Sequence, residues 1–411
     1  MNCLPDSGIQ LNKMLICIIT DNELARSHGM GAQILQLFQG ERFHHLYWRV
    51  GHGQRSEVPH STLLADWVPN VPKLGGAVRR LWRVSGRAWW QDHQVNAARL
   101  KRLARSKGLG FDVAYVVVAR ENDAARALSI LRVLQVPHVV NMVDVLHEDG
   151  LDPGSMPALV ELLKGARGLM ALLPSIADEM AKFTPAPIQI IPVGKPLAAK
   201  MAAPPQRDGP VRLIIGGRPY PGGCQLLAKA WQNVKHHCRK VELNYVGPHY
   251  RDLPPALMTE CRNVGFLESE DEYQKFLATG HLAYLTGPNA GDMHGKWSFP
   301  SRTADHLMAG LPVLACVPAG SATERVLEPI SPQAVAFTRT GADIVAAINR
   351  FTSNQEAWLL ASHTARSFAE KTMRLEVVRA RILEALAGGA KQAPAPLRRP
   401  SEEMAGMGGS R

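Results

Sequence analysis

The sequence predicts an α/β protein made of two Rossmann-like domains, each built around a parallel β-sheet. Short β-rich apolar runs alternate with longer segments of helical spacing along most of the 411 residues, which is typical of βα units around a parallel sheet. The length favours two or three domains at roughly 100 to 200 residues each. A stretch rich in Pro and Gly, residues 194–210, divides the pattern into two halves of similar size.

The first predicted domain spans residues 1–195 and ends at the Pro-rich connector, 196–210. Its runs of β-branched and aromatic residues predict six strands. These are Met14–Thr20, Phe43–Val50, Phe111–Val118, His138–Val143, Gly168–Leu173 and Ile188–Val193.

The second predicted domain spans residues 211–387 and repeats the alternation. Its predicted strands are Val211–Gly216, Val241–Val246, Val264–Leu267, His281–Thr286, Val313–Val317 and Ala334–Phe337. Apolar residues three and four apart then predict three closing helices, Ala342–Phe351, Gln355–Glu370 and Arg374–Ala387. The remainder, Gly388–Arg411, is rich in Gly, Pro and charge, and we expect it to be disordered.

Composition excludes several classes of protein. Apolar residues make up 46% and charged residues 20%, unlike disordered or collagen-like chains. The net charge of +11 favours an anionic partner. None of the six cysteines forms a C-x-x-C pair, so we expect reduced thiols and no metal site. Without a signal-like start or an apolar window of 18 residues, the sequence predicts a cytoplasmic protein.

Most of the positive charge lies in one segment. Residues 73–107 contain ten basic residues and one acid, interleaved with Trp82, Trp89 and Trp90. Basic residues with Trp on an amphipathic segment suit the surface of an anionic membrane, so we expect peripheral contact with the inner membrane face. A solvated basic helix pair is the alternative, and nucleic-acid binding is the less favoured one.

The segment Trp297–Ala315 carries the strongest chemical signal. Pro300 is suited to the first position of a helix, and Gly310 to its end before a buried strand. Ser301, Arg302 and Thr303 then occupy the first turn, where free N–H groups, the helix dipole and the Arg favour an anion such as a diphosphate. Asp305 is near the same end, where its carboxylate can accept hydrogen bonds from a ribose.

This segment resembles the donor-nucleotide segment of GT-B glycosyltransferases of the family 4 type (glycosyl transferases group 1-like). Pro300-Ser301-Arg302, Asp305 and Ala309–Val313 match its residues in order and spacing. Gly216-Gly217-Arg218 resembles the family's strand ending in Gly-Arg, and Gly265 lies in a segment similar to its strand near the nucleobase.

The resemblance implies a specific activity. It implies two domains that face each other across a cleft and a transferase of hexosyltransferase type. The enzyme would move a sugar from a nucleoside-diphosphate sugar to a saccharide or lipid-linked hydroxyl acceptor, in cell-surface polysaccharide or glycolipid synthesis. It implies retention of configuration and no cofactor or metal. Gly217, Arg218, Gly265, Ser301, Arg302, Thr303 and Asp305 are the implied donor-binding residues, with Arg218 also catalytic.

Two segments depart from the family pattern. The family usually has Glu where Asp305 stands and a second Glu eight residues earlier, where this sequence has Trp297. The segment Pro219–Cys224 lacks the usual Lys. Lys296 is a hypothetical source of the second positive charge.

The first domain is expected to supply the acceptor side. Gly29 and Gly31 follow the first predicted strand and would let a sugar or phosphate approach the backbone. Asp144 and His147 follow the strand at His138; Asp144 is a further catalytic candidate and His147 a sugar-binding one, with structural roles as the alternative. The adjacent pairs His44-His45 and His236-His237 are interpreted as structural.

Two other functions fit the same fold. A nucleotide-sugar epimerase is one, although no separate carboxylate set for proton removal stands out. A protein that binds nucleotide sugars or nucleic acid without catalysis is the other.

Overall fold

The computed structural model describes residues 14–20, 29–50, 61–67, 100–102, 110–119, 123–143, 155–267, 269–287, 297–395 and 397. The chain forms two compact units. Unit 1 comprises Met1–Leu172, Ile176–Ile191 and Arg379–Arg411, and unit 2 comprises Leu173–Ser175 and Pro192–Val378.

Unit 1 contains a parallel sheet of seven strands in the order β3-β2-β1-β4-β5-β6-β7. The strands are β1 Ile16–Thr20, β2 Phe43–Val50, β3 Ser61–Trp67, β4 Val113–Val118, β5 His138–Met142, β6 Gly168–Ala171 and β7 Ile188–Ile190. Its helices are α1 Gly29–Leu37, α2 Asp123–Leu134, α3 Ser155–Gly165 and α4 Pro174–Ala181, joined by α12 Leu375–Ala390 from the end of the chain. The central strands β1, β4 and β5 are buried on both faces, as parallel strands between helices must be.

Unit 2 contains a parallel sheet of six strands in the order β10-β9-β8-β11-β12-β13. The strands are β8 Val211–Gly216, β9 Val241–Val246, β10 Cys261–Gly265, β11 Leu282–Thr286, β12 Val313–Cys316 and β13 Val335–Phe337. The helices are α5 Pro221–His237, α6 Pro255–Met258, α7 Glu270–Leu277, α8 Arg302–Met308, α9 Ala322–Leu327, α10 Gly341–Thr352 and α11 Gln355–Thr372.

The core of unit 2 follows from the pleat of β8. Alternate residues Val211, Leu213 and Ile215 enter one apolar cluster with the inner faces of α5 and α10. Trp358 of α11 is fully buried and its indole N–H donates to the carbonyl of His281. The strand order places the switch in winding direction between β8 and β11, and ligands of such sheets bind beyond the carboxyl ends of the strands there.

The structure corrects several predicted boundaries. Strand β3 was not predicted, so sheet 1 has seven strands rather than six. β10 begins at Cys261 and ends at Gly265, earlier than predicted. Residues 196–210 contain neither helix nor strand, and the chain enters unit 2 at Pro192.

The last helix differs most from the prediction. We expected α12 to close the second domain and to end at Ala387, but from Arg379 onward it belongs to unit 1, and it extends to Ala390. The physical reason is packing against sheet 1: a Cβ placed on Gly389 would be 3.1 Å from Val139, and Arg379 forms an ion pair with Glu41. Gly388 and Gly389 are therefore helical, while residues 398–411 of the expected tail lie outside the described part of the chain.

Three further findings concern partners and environment. Among the described helices, none is long and apolar enough to span a membrane. The five cysteines that the structure describes form no disulfide. The basic segment 73–107 lies outside the described residues except for its residues 100–102, so its membrane contact stays a prediction.

Candidate functional site

The candidate site begins where β8 ends. Gly217 has φ = +82°, a conformation that favours glycine. The Tyr245 hydroxyl donates to the carbonyl of Gly217 (2.7 Å) and accepts from the N–H of His249 (2.8 Å), which holds the turn in place. A side chain at position 217 would collide with the guanidinium of Arg302. Glycine is thus required twice here, for its backbone angle and for the approach of Arg302.

Arg302 also lies against the end of the neighbouring strand β9. A Cβ on Gly247 (φ = +145°) would be 3.3 Å from Arg302 Nη1 and 3.3 Å from the Cα of Gly217. Nη1 is buried and has no hydrogen-bond partner among the described residues. The structure therefore brings together two of the predicted donor-binding residues, Gly217 and Arg302, around an unused N–H donor.

The start of α8 differs from the predicted anion site. The helix begins at Arg302 rather than at Pro300, and Ser301 is an exposed N-cap whose side chain makes no capping hydrogen bond. The N–H groups of Thr303 and Ala304 already donate to the carbonyls of Pro300 and Ser301. The amide of Thr303, which we expected to be free in the first turn, is therefore occupied. Thr303 is buried, and its hydroxyl has no partner in the described part of the chain.

The end of α8 is as predicted. Gly310 has φ = +72° and follows the last helical residues. Its N–H donates to the carbonyl of Leu307, and the N–H of Leu311 donates to the carbonyl of His306. This is the pattern in which a glycine in the left-handed region terminates a helix.

Asp305 is 2% exposed and pairs with Lys195, with 3.0 Å between Oδ2 and Nζ. Its other oxygen, Oδ1, is buried and accepts no hydrogen bond from any described residue. Burial raises the pKa of the Asp305 carboxyl to about 6, while Lys195 and Arg302 lower it and Glu270 raises it. The predicted ribose-binding carboxylate is thus half satisfied, by a cation that the sequence analysis missed.

Two further polar groups that the sequence analysis missed converge above Gly216. A Cβ there would be 3.0 Å from His306 Nε2 and 3.3 Å from the Tyr273 hydroxyl. Both His306 nitrogens and the Tyr273 hydroxyl are buried without a partner in the described chain. Burial, Arg302 and Lys195 lower the pKa of His306 to about 3, and burial raises the pKa of Tyr273 well above its ordinary value. Both groups are therefore uncharged at neutral pH.

Arg218 and Gly265 lie at the edge of the unit 2 sheet where its strands have their carboxyl ends. Arg218 is exposed, directly after Gly217. Gly265 ends β10 with φ = +84°, has open space around it, and accepts through its carbonyl from the N–H of Gly247. The exposed ring of Phe266 follows it.

The remaining predicted positions are outside this cluster. Gly29 and Gly31 form the first turn of α1 in unit 1. Asp144, His147 and Lys296 lie outside the described residues, so their roles stay predictions. Trp297 is described, and it stands just before α8.

The histidine pairs show no metal-binding arrangement in the residues that the structure covers. His44 and His45 are buried in β2, and His236 interacts through Nδ1 with the carbonyl of Gln232. Across the described residues, no group of three or more His, Cys, Asp or Glu side chains could hold a metal ion.

Sequence features gave little warning of the missed residues. Lys195 follows β7 in a short Pro- and Gly-flanked segment, and His306 and Tyr273 occupy ordinary helical positions. The Gly216-Gly217 pair is the one sequence feature that indicates a close approach by other side chains, and it does not identify those side chains.

Comparisons with known proteins identify the fold. No protein-family model and no curated protein matches the sequence. Among solved structures, the chain is similar to HepE from Anabaena in complex with UDP, at 13% identity over 91% of this chain and 99% of that one (TM-score 0.62). It is also similar to a glycosyltransferase from Rickettsia africae, at 12% identity over 93% and 100% of the two chains (TM-score 0.64).

A third similar structure is sucrose-phosphate synthase from Thermosynechococcus elongatus, at 13% identity over 90% and 98% of the two chains (TM-score 0.62). At these identities the likeness concerns the fold. The α/β class with two parallel-sheet units and the GT-B fold are thereby confirmed.

Proposed function

We propose that the protein is a glycosyltransferase that moves a sugar from a nucleoside-diphosphate sugar to a hydroxyl acceptor. The observation that carries the proposal is the set of buried polar atoms left unpaired beyond β8: a donor on Arg302, an acceptor on Asp305, and His306 and Tyr273 beside them. A buried polar atom without a partner costs about 1–3 kcal/mol. A cluster of such atoms at the switch point of a parallel sheet is therefore a place for a polar ligand.

The chemistry of the set matches a sugar nucleotide. Such a ligand carries anionic oxygens for the guanidinium of Arg302 and hydroxyl groups for the free Oδ1 of Asp305. The proteins of similar fold support the assignment, because HepE was solved with UDP and with UDP-glucose. Nearly the whole of HepE is covered by the alignment.

Catalysis in this proposal rests on the departing diphosphate. Arg218 is exposed beside Gly217, where its charge can meet the leaving phosphates, and Arg302, whose guanidinium lies against Gly217 and Gly247 at the same edge of the sheet, would hold the same group. Preorganised positive charge that stabilises a leaving group, together with positioning of the two reactants, accounts for large rate enhancements. Because these cations belong to the chain, the proposed reaction needs no metal.

The finer features of the proposal come from the sequence resemblance. They are the family 4 type, retention of configuration, transfer of a hexose, and a role in cell-surface polysaccharide or glycolipid synthesis. The acceptor is proposed to be a saccharide or lipid-linked hydroxyl, with Gly29, Gly31, Asp144 and His147 on its side. A cytoplasmic protein with residues 73–107 against the inner membrane face would meet lipid-linked acceptors.

A thermal-shift screen tests the proposal. The purified chain is heated with UDP, GDP, ADP and CMP and with their sugar conjugates, with and without EDTA. Ligand at 100 times its Kd stabilises the folded state by about 2.7 kcal/mol, so one nucleoside diphosphate should raise Tm by several degrees, equally with EDTA.

Turnover decides between catalysis and simple binding. The sugar conjugate of the diphosphate that binds should release that diphosphate when lipid extracts or saccharides are added. Absence of any shift in folded protein contradicts the proposal. Binding without turnover would instead favour the non-catalytic nucleotide-sugar binder.

A further inference from the structure

We infer that Lys195 is a positioning residue of the nucleotide site, which holds the Asp305 carboxylate so that its free oxygen accepts a hydrogen bond from a donor ribose hydroxyl. The inference rests on the proposed function and adds to it a residue that no sequence motif identifies. It concerns the nucleoside part of the donor, whereas Arg218 and Arg302 concern the diphosphate.

The backbone of Lys195 is held on both sides. Its N–H donates to the carbonyl of Met373 (2.8 Å), and its carbonyl accepts from the N–H of Leu375 (2.8 Å). These bonds form a parallel bridge between Lys195 and Arg374 inside unit 2. A lysine whose main chain is fixed in this way loses less freedom when its side chain forms an ion pair.

The side chain of Lys195 approaches one oxygen of Asp305 and leaves the other free. Nζ is 3.0 Å from Oδ2, and the two side chains are 21% and 2% exposed. Removing one partner of a buried ion pair leaves an uncompensated charge. Lys195 therefore keeps a carboxylate in a site where burial alone favours the neutral acid.

The groups around Asp305 define what Lys195 contributes. Arg302 on the same helix and Glu270 on α7 act on the carboxylate with opposite signs. His306 and Tyr273 face the cluster as uncharged groups. Lys195 is the cation in direct contact with Asp305 among the described residues. Without Lys195, the protonation equilibrium of Asp305 shifts toward the neutral acid, which accepts a hydrogen bond from a hydroxyl group less strongly than the carboxylate does.

The test compares two nucleotides that differ only in the ribose. The diphosphate that wild type binds best among UDP, GDP and ADP is titrated by calorimetry beside its 2′,3′-dideoxy analogue. A hydrogen bond to a charged group is worth roughly tenfold or more in affinity. Wild type should thus favour the ribonucleotide by at least about tenfold, and Lys195→Met should reduce that preference to less than about threefold while leaving the dideoxy affinity unchanged.

Two variants serve as controls. Lys195→Arg keeps the charge and should keep the preference. Lys200→Met removes an exposed lysine five residues further along the chain and should behave as wild type. If Lys195→Met does not fold, the double variant Lys195→Met/Asp305→Asn, in which both positions are uncharged, replaces it. This variant should show the same loss of preference for the ribonucleotide. A preference retained by the double variant overturns the inference.

The pH profile separates positioning from a merely structural role. Wild type should favour the ribonucleotide above pH 6, the range in which Asp305 is ionised, and lose that preference below it. In Lys195→Met the loss should begin at higher pH, since the nearest cation is gone. An identical profile in both proteins overturns the inference.

The remaining outcomes are distinct. If Lys195→Met weakens the ribose and dideoxy nucleotides equally, Lys195 contacts phosphate directly and the inference is wrong. If it changes neither affinity, Lys195 has no part in the site. Failure of wild type to bind any diphosphate overturns the proposed function as well.

Discussion

The two sheets are built alike but differ in how they treat buried polar groups. In unit 1, His138 of β5 interacts through Nε2 with the carbonyl of Leu162 (3.0 Å), and Asn141 donates to the hydroxyl of Tyr115 (2.6 Å). In unit 2, Arg302 Nη1, both ring nitrogens of His306 and the Tyr273 hydroxyl are buried beyond β8 without partners in the described chain. In the first arrangement both side chains form hydrogen bonds within the core, although Asn141 Oδ1 has no partner among the described residues. In the second arrangement several unpaired polar atoms lie together, and we propose that this group is the ligand site.

This comparison gives a criterion for separating structural from functional polar groups. Each group of the first kind should affect stability and leave ligand binding unchanged. Each group of the second kind should affect binding or turnover and leave stability nearly unchanged. Of the four substitutions below, those of Arg302 and His138 test that separation directly, and those of the exposed residues Arg218 and Thr340 extend it to a proposed catalytic and a capping residue. They are given in order of decreasing effect.

Arg218→Ala should lower turnover about 100-fold, on the scale of removing one preorganised donor to a developing charge. The melting temperature should change little, because Arg218 is exposed. The rate of diphosphate release from the cognate sugar nucleotide measures the effect, with exposed Arg262→Ala as the control. Unchanged turnover would remove Arg218 from the mechanism.

Arg302→Met should weaken nucleoside-diphosphate binding about 30-fold. This is the loss of a charge-assisted hydrogen bond worth about 2 kcal/mol. Calorimetric titration measures the affinity, and Arg325→Met on the neighbouring helix α9 is the control. An equal loss of affinity in both variants would point to general charge rather than to the site.

His138→Gln should change how stability depends on pH. Burial lowers the pKa of His138 to about 4, below its value in the unfolded chain. The contribution of His138 to the free energy of unfolding is therefore fully present above pH 6.5 and is lost as the pH falls toward 4. Between pH 7 and pH 5 this loss is about 2 kcal/mol, and the variant should lack it. Urea unfolding at both pH values measures the difference, with exposed His363→Gln as the control; an equal acid sensitivity in His138→Gln and wild type would contradict the assignment.

Thr340→Ala should destabilise the fold by about 1 kcal/mol and leave nucleotide affinity unchanged. Thr340 caps α10 through a capping box with Asp343, and replacement of such a residue by Ala has this effect. Denaturant unfolding and calorimetry test the two halves of the prediction. A change in affinity would show that capping of α10 affects the site.

Much of the local backbone structure around the candidate site could be predicted because it follows local rules. Pro300 and Gly310 bracket α8 to within two residues, and Gly217-Arg218 lies directly beyond β8 as expected. The prediction that the amide of Thr303 is free was wrong, because this N–H donates to the carbonyl of Pro300. β3 was missed because its sequence, STLLADW, breaks the apolar pattern with Asp66.

The alternation of strands and helices and the positions of the key glycines could be inferred from the sequence alone, whereas the predicted connector at 196–210 lies within unit 2. Periodicity and turn chemistry depend on neighbours along the chain, so they can be inferred without a fold. Folding of the whole chain places α12 from Arg379 onward in unit 1, pairs Lys195 with Asp305, and brings His306 and Tyr273 together above Gly216. Those contacts join residues far apart in the sequence, and packing of whole elements, rather than local preference, brings them together.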